Sequence, residues 1–190
     1  MGGMPWSYRV PYQPNIEQAL RDLKQEVFED GDYSRPTLGY AFQNMEELGA
    51  FDMDDAGREA VLAEHELAML REPLLQMGAR ELRERAHALN TAPQIESLED
   101  LLLLSSLSDE GTSSILDMEI SDTDKPGVLC ITPRTSSELI QFYGTDQPTY
   151  EMARKNDGLY ANLDRGEGAY FIVYKNDEPS EIIFAGWTVD

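Results

Sequence analysis

The chain has 190 residues, 41% of them hydrophobic, which suits a folded protein with a sizeable core and excludes wholesale disorder. Acidic residues number 36 against 15 basic, a net charge of −21, which disfavours contact with phosphate backbones and anionic lipid surfaces. The single cysteine, Cys130, excludes an internal disulfide and a Cys-based zinc site.

The start, Met1-Gly2-Gly3-Met4-Pro5-Trp6, lacks a basic segment followed by an apolar run, so no signal peptide is expected. No apolar run approaches spanning length. A soluble cytoplasmic protein is the expectation. Trp6, Tyr8, Val10 and Tyr12 alternate with polar residues, and Pro11 and Pro14 confine that stretch to an edge strand or an extended arm.

Asn15 then reads as an N-cap with Gln18 three residues on, and Ile16, Leu20, Leu23, Val27 and Phe28 follow at helical spacing until Gly31. Asp32 to Asp55 is loop-rich, with one helical turn at Asn44–Leu48. A long helical pattern runs from Ala56 to Leu89. Its apolar stripe is Leu62, Leu67, Leu70, Leu74, Leu75, Met77, Leu82, Ala86 and Leu89. Pro73 should kink or restart it, so that the 56–90 region reads as a hairpin, one bent helix or a protruding insertion.

Ser97 caps a helix over Leu98–Ser106 whose run of four leucines should be largely buried. Ser114 to Ile120 alternates and predicts a strand. Asp122–Gly127 predicts a turn and Val128–Thr132 a short strand. Thr135 and Glu138 form a capping box for a helix over Ser136–Tyr143, ended by Gly144. Thr149 caps another helix through Asn156, and Asp157–Leu163 adds a turn or two before Gly166.

The strongest element is the ending. Gly168–Tyr174 is apolar on both alternating faces and predicts a central strand. Lys175–Ser180 is turn chemistry, and Glu181–Val189 returns as a second strand. The pattern predicts a single α+β domain over 1–190, its helical N-terminal half packed on a small, mainly antiparallel C-terminal sheet with short interleaved helices.

Several phrases carry a family resemblance. They are Phe28-Glu29-Asp30-Gly31-Asp32-Tyr33, Gly111-Thr112-Ser113-Ser114-Ile115-Leu116-Asp117-Met118, Tyr143-Gly144-Thr145-Asp146-Gln147-Pro148-Thr149, Arg165-Gly166-Glu167-Gly168-Ala169-Tyr170 and Ile183-Phe184-Ala185-Gly186-Trp187. Together they resemble a family of small, acidic, uncharacterised bacterial proteins. The resemblance covers both ends and the second half, leaves Asp52–Leu89 as a variable part, and implies no activity and no catalytic residues.

The motifs of known chemistries fail on spacing. His65 has Met69 where a zinc-protease helix needs a second histidine, and His87 is twenty-two residues away. Asp52/Asp54 and Asp122/Asp124 start calcium-like loops, but Ala56 and Ala63 in the first, and Pro126 and Pro133 in the second, stand where oxygen ligands are required. Gly166-Glu167-Gly168 precedes a strand rather than opening a helix, so it is no dinucleotide loop. No catalytic residue, metal ligand or cofactor is assigned. Cys130 reads as a small hydrophobe.

The minority bases are more informative. Arg134, just past a strand end, and Arg165 could line a polar ligand site with Tyr143 and Trp187, or be absorbed by neighbouring acids. The first functional expectation is a non-enzymatic interaction protein. It would be immunity- or antitoxin-like, or an accessory subunit, and would bind a basic protein partner through an acidic surface. The alternative is an enzyme or small-anion binder with a site between the helical half and the sheet. A nucleic-acid mimic, a third reading, needs rows of carboxylates that this spread of acids does not supply.

Overall fold

In the computed structural model, residues 3–65, 67–121, 127–155 and 157–189 are described. All but Gly127 of the expected turn at Asp122–Gly127, Glu66 in the helical pattern and the helix end at Asn156 lie outside them. The described residues form an α+β protein with eight α-helices, mostly in the N-terminal half, and one five-stranded mixed sheet. No helix among them is long and apolar enough to cross a membrane. The chain groups into two compact units, Ser34–Thr112 and Met1–Tyr33 with Ser113–Asp190. The expected insertion, 56–90, lies inside the first of these.

The unit formed by the two ends holds the sheet, with strands β1 (Pro5–Pro11), β2 (Glu119–Ile120), β3 (Cys130–Pro133), β4 (Glu167–Lys175) and β5 (Glu178–Trp187). Their order is β1-β5-β4-β3-β2. The predicted hairpin is β4–β5, and both strands are interior. Its turn is tighter than expected: Asn176 and Asp177, with φ of 53° and 63°, make it alone. Pro179 therefore lies inside β5, opposite Tyr174, and a register shift beside Val173 and Tyr174 absorbs the residue left over.

β1 pairs antiparallel with β5 along its whole length and forms an edge, which suits Pro5 and Pro11. The expectation of a mainly antiparallel sheet is corrected at the other side. β3 runs parallel to β4, and β2 parallel to β3. The chain returns from β3 to β4 through two helices, and such a crossover sets strands parallel.

The predicted strand at Ser114–Ile120 is also shorter than its alternation suggests. Ile115–Asp117 is a 3-10 turn, capped where the Ser114 hydroxyl accepts from the Leu116 N–H, and only Glu119–Ile120 pairs. Ile115, Leu116 and Met118 are all buried there, so the burial is not two-faced and alternation is a poor guide.

Helix α1 (Ile16–Asp30) is capped by Asn15 and closed by Gly31 at φ 71°, as expected. It packs against the 115–117 turn, and Tyr8, on the same sheet face as Trp6, donates to Asp32 just past its end. The opposite face carries Phe171, Val173 and Ile183. They pack with Leu139 and Tyr143 of α7 (Ser136–Tyr143) and Ala153 of α8 (Tyr150–Lys155). The Thr135–Glu138 capping box forms as read.

The other unit is helical: α2 (Tyr40–Glu47), α3 (Asp55–Glu64), α4 (Arg71–Met77), α5 (Ala79–Thr91) and α6 (Leu98–Ser106). The long helical pattern thus divides into three. Pro73 sits in the first turn of α4, where a missing N–H costs no bond, and Gly78 at φ 79° separates α4 from α5. Phe42, Met45, Leu70, Leu82, Leu101 and Leu104 are fully buried, with Phe42 5.0 Å from Phe51 between ring centroids. Leu102 and Leu103 are half-buried, so only half of the leucine run is core.

Candidate functional site

Arg134 occupies the link between β3 and α7. Its backbone N–H bonds to Tyr170 of β4, and its side chain runs inward, leaving the residue 9% exposed. Nη1 donates to Glu138 at 3.0 Å. Nη2 donates to the carbonyls of Leu159 at 3.3 Å and Ala161 at 2.6 Å. Its guanidinium also lies 5.5 Å from the Phe142 ring centroid.

Glu138 is held on both oxygens. One accepts from Arg134 and the other from the Thr135 backbone N–H and hydroxyl. Burial works against its ionisation, but these donors and the Arg134 charge outweigh it and hold the carboxyl below its ordinary value. A buried guanidinium balanced by one carboxylate and two carbonyls is the arrangement expected of a structural cation.

Tyr143, at the end of α7, is 8% exposed and packs with its ring tilted 32° to that of Phe171, 5.5 Å away between centroids. Its hydroxyl is buried with no hydrogen-bond partner among the described residues. Burial pushes the phenol up to about 12, against a smaller opposing effect of Arg134. Gly158 lies close by. A β carbon there would stand 2.8 Å from Phe142 Cβ and 3.2 Å from Tyr143 Cζ, so only glycine fits.

Trp187, at the end of β5, packs 5.5 Å from Tyr160, which lies between the two carbonyls that Arg134 holds. Three of the four candidate residues therefore surround one segment, 157–163. Arg134 latches it, Tyr143 seats Gly158 and Trp187 packs its Tyr160. Arg165 is exposed beyond it, with no ion pair among the described residues. An anion reaching Arg134 would have to displace Glu138 or a carbonyl.

The histidines belong to the other unit. His87 Nε2 is 2.8 Å from Glu46, whose same oxygen accepts Arg83 Nε at 2.9 Å. Among the described residues no three His, Cys, Asp or Glu side chains form a cluster able to hold a metal.

The surface is where the arrangement departs most from a neutral protein. Residues 34–112 contain sixteen acids, six arginines and no lysine. Every arginine is engaged inside the unit. Arg58 pairs with Asp55, Arg71 with Glu59, Arg80 with Glu84, Arg85 with Asp100, and Arg83 with Glu46 and Asp52. Arg35 donates to the carbonyls of Leu89 and Ala92 at the end of α5.

Glu47, Glu64, Glu72, Glu81, Glu96 and Glu99 remain exposed, with no arginine at ion-pair distance among the described residues. The lack of lysine in 34–112 is legible in the sequence and marks this unit as the more one-sided in charge.

The apolar stripe read from periodicity is unevenly covered: Leu75 is 81% exposed, whereas Leu62, Leu67, Leu70, Leu82 and Ala86 are buried. No family model, no curated protein and no solved structure matches this chain.

Proposed function

We propose that this is a non-enzymatic interaction protein that binds a basic protein partner through its acidic surface. The supporting observation is the arginine pairing in residues 34–112. All six arginines are engaged by acceptors of the same unit and no lysine is present, so sixteen acids face six bases and the outward glutamates leave a net negative field. Such a field accelerates encounter with a cationic protein and repels nucleic acid and anionic lipid.

An immunity or antitoxin-like protein that neutralises a basic toxin is the concrete form of this reading. An accessory subunit of a larger assembly is its sibling. The resemblance to small acidic bacterial proteins is compatible with either. The anion-binding alternative has less behind it, because Arg134 is balanced by Glu138 and two carbonyls.

The test is capture from the protein's own host on the tagged chain, washed at rising salt, with mass spectrometry of the retained fraction. A single stoichiometric basic protein, released as salt screens the charges, supports the proposal. No enriched protein at any salt refutes it.

A further inference from the structure

Helix α4 is apolar in sequence and poorly covered in the fold. Of Pro73, Leu74, Leu75 and Met77, only Pro73 is buried. Leu74 and Met77 are half-buried, Leu75 is 81% exposed, and Met69 just ahead of the helix is 57% exposed. A lone exposed apolar side chain needs no explanation, but here Met69 and Leu75 are both exposed, with the half-buried Leu74 and Met77 beside Leu75 in the chain.

The margins of this strip are acidic. Glu72 lies one turn before Leu75 on the same helix face, and Gln76 donates to it at 2.9 Å. Arg71, also one turn away, is drawn off to Glu59.

Three occupants can be compared on charge. An anionic lipid surface meets an acidic rim and is repelled. A second copy brings an identical acidic rim against the first, with like charges opposed. A cationic amphipathic segment covers the leucine and methionine with its own apolar side chains and places its cations against the glutamates.

We propose that the outward face of α4, together with Met69, docks a cationic amphipathic segment of another protein. This rests on the acidic-surface reading above and assigns that surface its apolar anchor.

The experiment is fluorescence anisotropy with the full chain and two labelled synthetic peptides. One is a helical lysine–leucine peptide. The other is a lysine–serine peptide of equal charge. The variants are Leu75→Ser, Leu75→Ser with Met69→Ser, and Ile140→Ser, an exposed site in the other unit. Circular dichroism checks each fold, and the single Leu75→Ser stands in if the double variant unfolds.

The expected result is that wild type and Ile140→Ser bind the lysine–leucine peptide alike. The lysine–serine peptide and the Leu75 variants should be weaker by about tenfold, as for loss of an interface anchor. Equal binding of wild type and the Leu75 variants overturns the α4 assignment and leaves the acidic-surface reading standing. No binding of either lysine peptide overturns both. A wild-type dimer in light scattering that becomes a monomer in Leu75→Ser makes a second copy the occupant and overturns the proposal.

Discussion

The indole of Trp6 fills the space that a side chain at Gly186 would need. The two are register partners across β1 and β5, and Gly186 is in turn paired with Gly168 of β4. A β carbon at 186 would collide with Trp6 Cζ2 and stand 2.6 Å from the Glu167 carbonyl oxygen. A β carbon at 168 would meet Trp6 Cη2, Met118 and Ile131, each at 3.1 Å. The two glycines form a shallow bed on which the edge strand docks its largest side chain.

Gly186→Ala is therefore expected to lower stability by about 1–3 kcal/mol, the usual cost of overpacking, because one of the clashing groups is backbone and cannot rotate away. Trp6→Ala should cost about 3–5 kcal/mol through the cavity it leaves. Urea unfolding midpoints, followed by circular dichroism, check both.

Arg134→Ala should be severe for a different reason. It leaves the carbonyls of Leu159 and Ala161 and one oxygen of Glu138 without their donor. Breaking a fully buried ion pair costs about 3–5 kcal/mol, and the loss here should be smaller because the Glu138 side chain is 28% exposed and keeps its Thr135 donors. Arg134→Lys should recover only part of this, since one ammonium cannot reach three acceptors in a planar fork. Hydrogen exchange read at 157–163 should rise more in both variants than at β4. Unchanged exchange there would show that the latch does not hold this segment.

Acid should unfold the protein through specific carboxylates. Glu46 is held below its ordinary value although burial opposes this, because His87 and Arg83 donate to it. Asp100 is lowered chiefly by the hydrogen bond from Arg85, and Glu138 by the donors described above. A carboxyl depressed in the folded state binds its proton more readily when unfolded, so its contribution is complete above the unfolded value. It is lost as pH falls through the folded one. Stability should therefore decline below the ordinary values of 4.5 for Glu46 and Glu138 and 3.8 for Asp100. Glu138→Gln should flatten that decline. A urea midpoint series between neutral and acidic pH would show it.

At the alkaline end two tyrosines should lag. Burial raises both Tyr143 and Tyr8 to about 12, and in Tyr8 the neighbouring Asp32 adds to it. Their neutral forms stabilise the fold fully below the ordinary value of 10.0, and that contribution is lost as pH rises through about 12. Both should ionise late in a tyrosinate absorbance titration of the folded protein, and Tyr143→Phe should remove one late step.

Local chemistry was readable in the sequence. Asn15 and Gly31, Ser97, and Thr135 with Glu138 mark helix ends because a cap is satisfied within a few residues. The β4–β5 hairpin was readable for the same reason. Features set by distant partners were not. The parallel β3–β4 pairing depends on a crossover of two helices, and Arg134 reaches carbonyls twenty-five and twenty-seven residues away. Leu75 shows the limit of periodicity, which marks an apolar face and does not say whether anything covers it.

The most direct test of the central claim is to repeat the capture with a chain carrying Glu64, Glu72, Glu81, Glu96 and Glu99 all changed to glutamine, beside the wild type. These side chains are exposed and pair with no arginine among the described residues, so the fold should survive, as circular dichroism can verify. The account predicts that wild type retains a basic partner at low salt and that the neutralised chain, equally folded, loses it. Equal retention of the same partner by both chains would contradict recognition by charge.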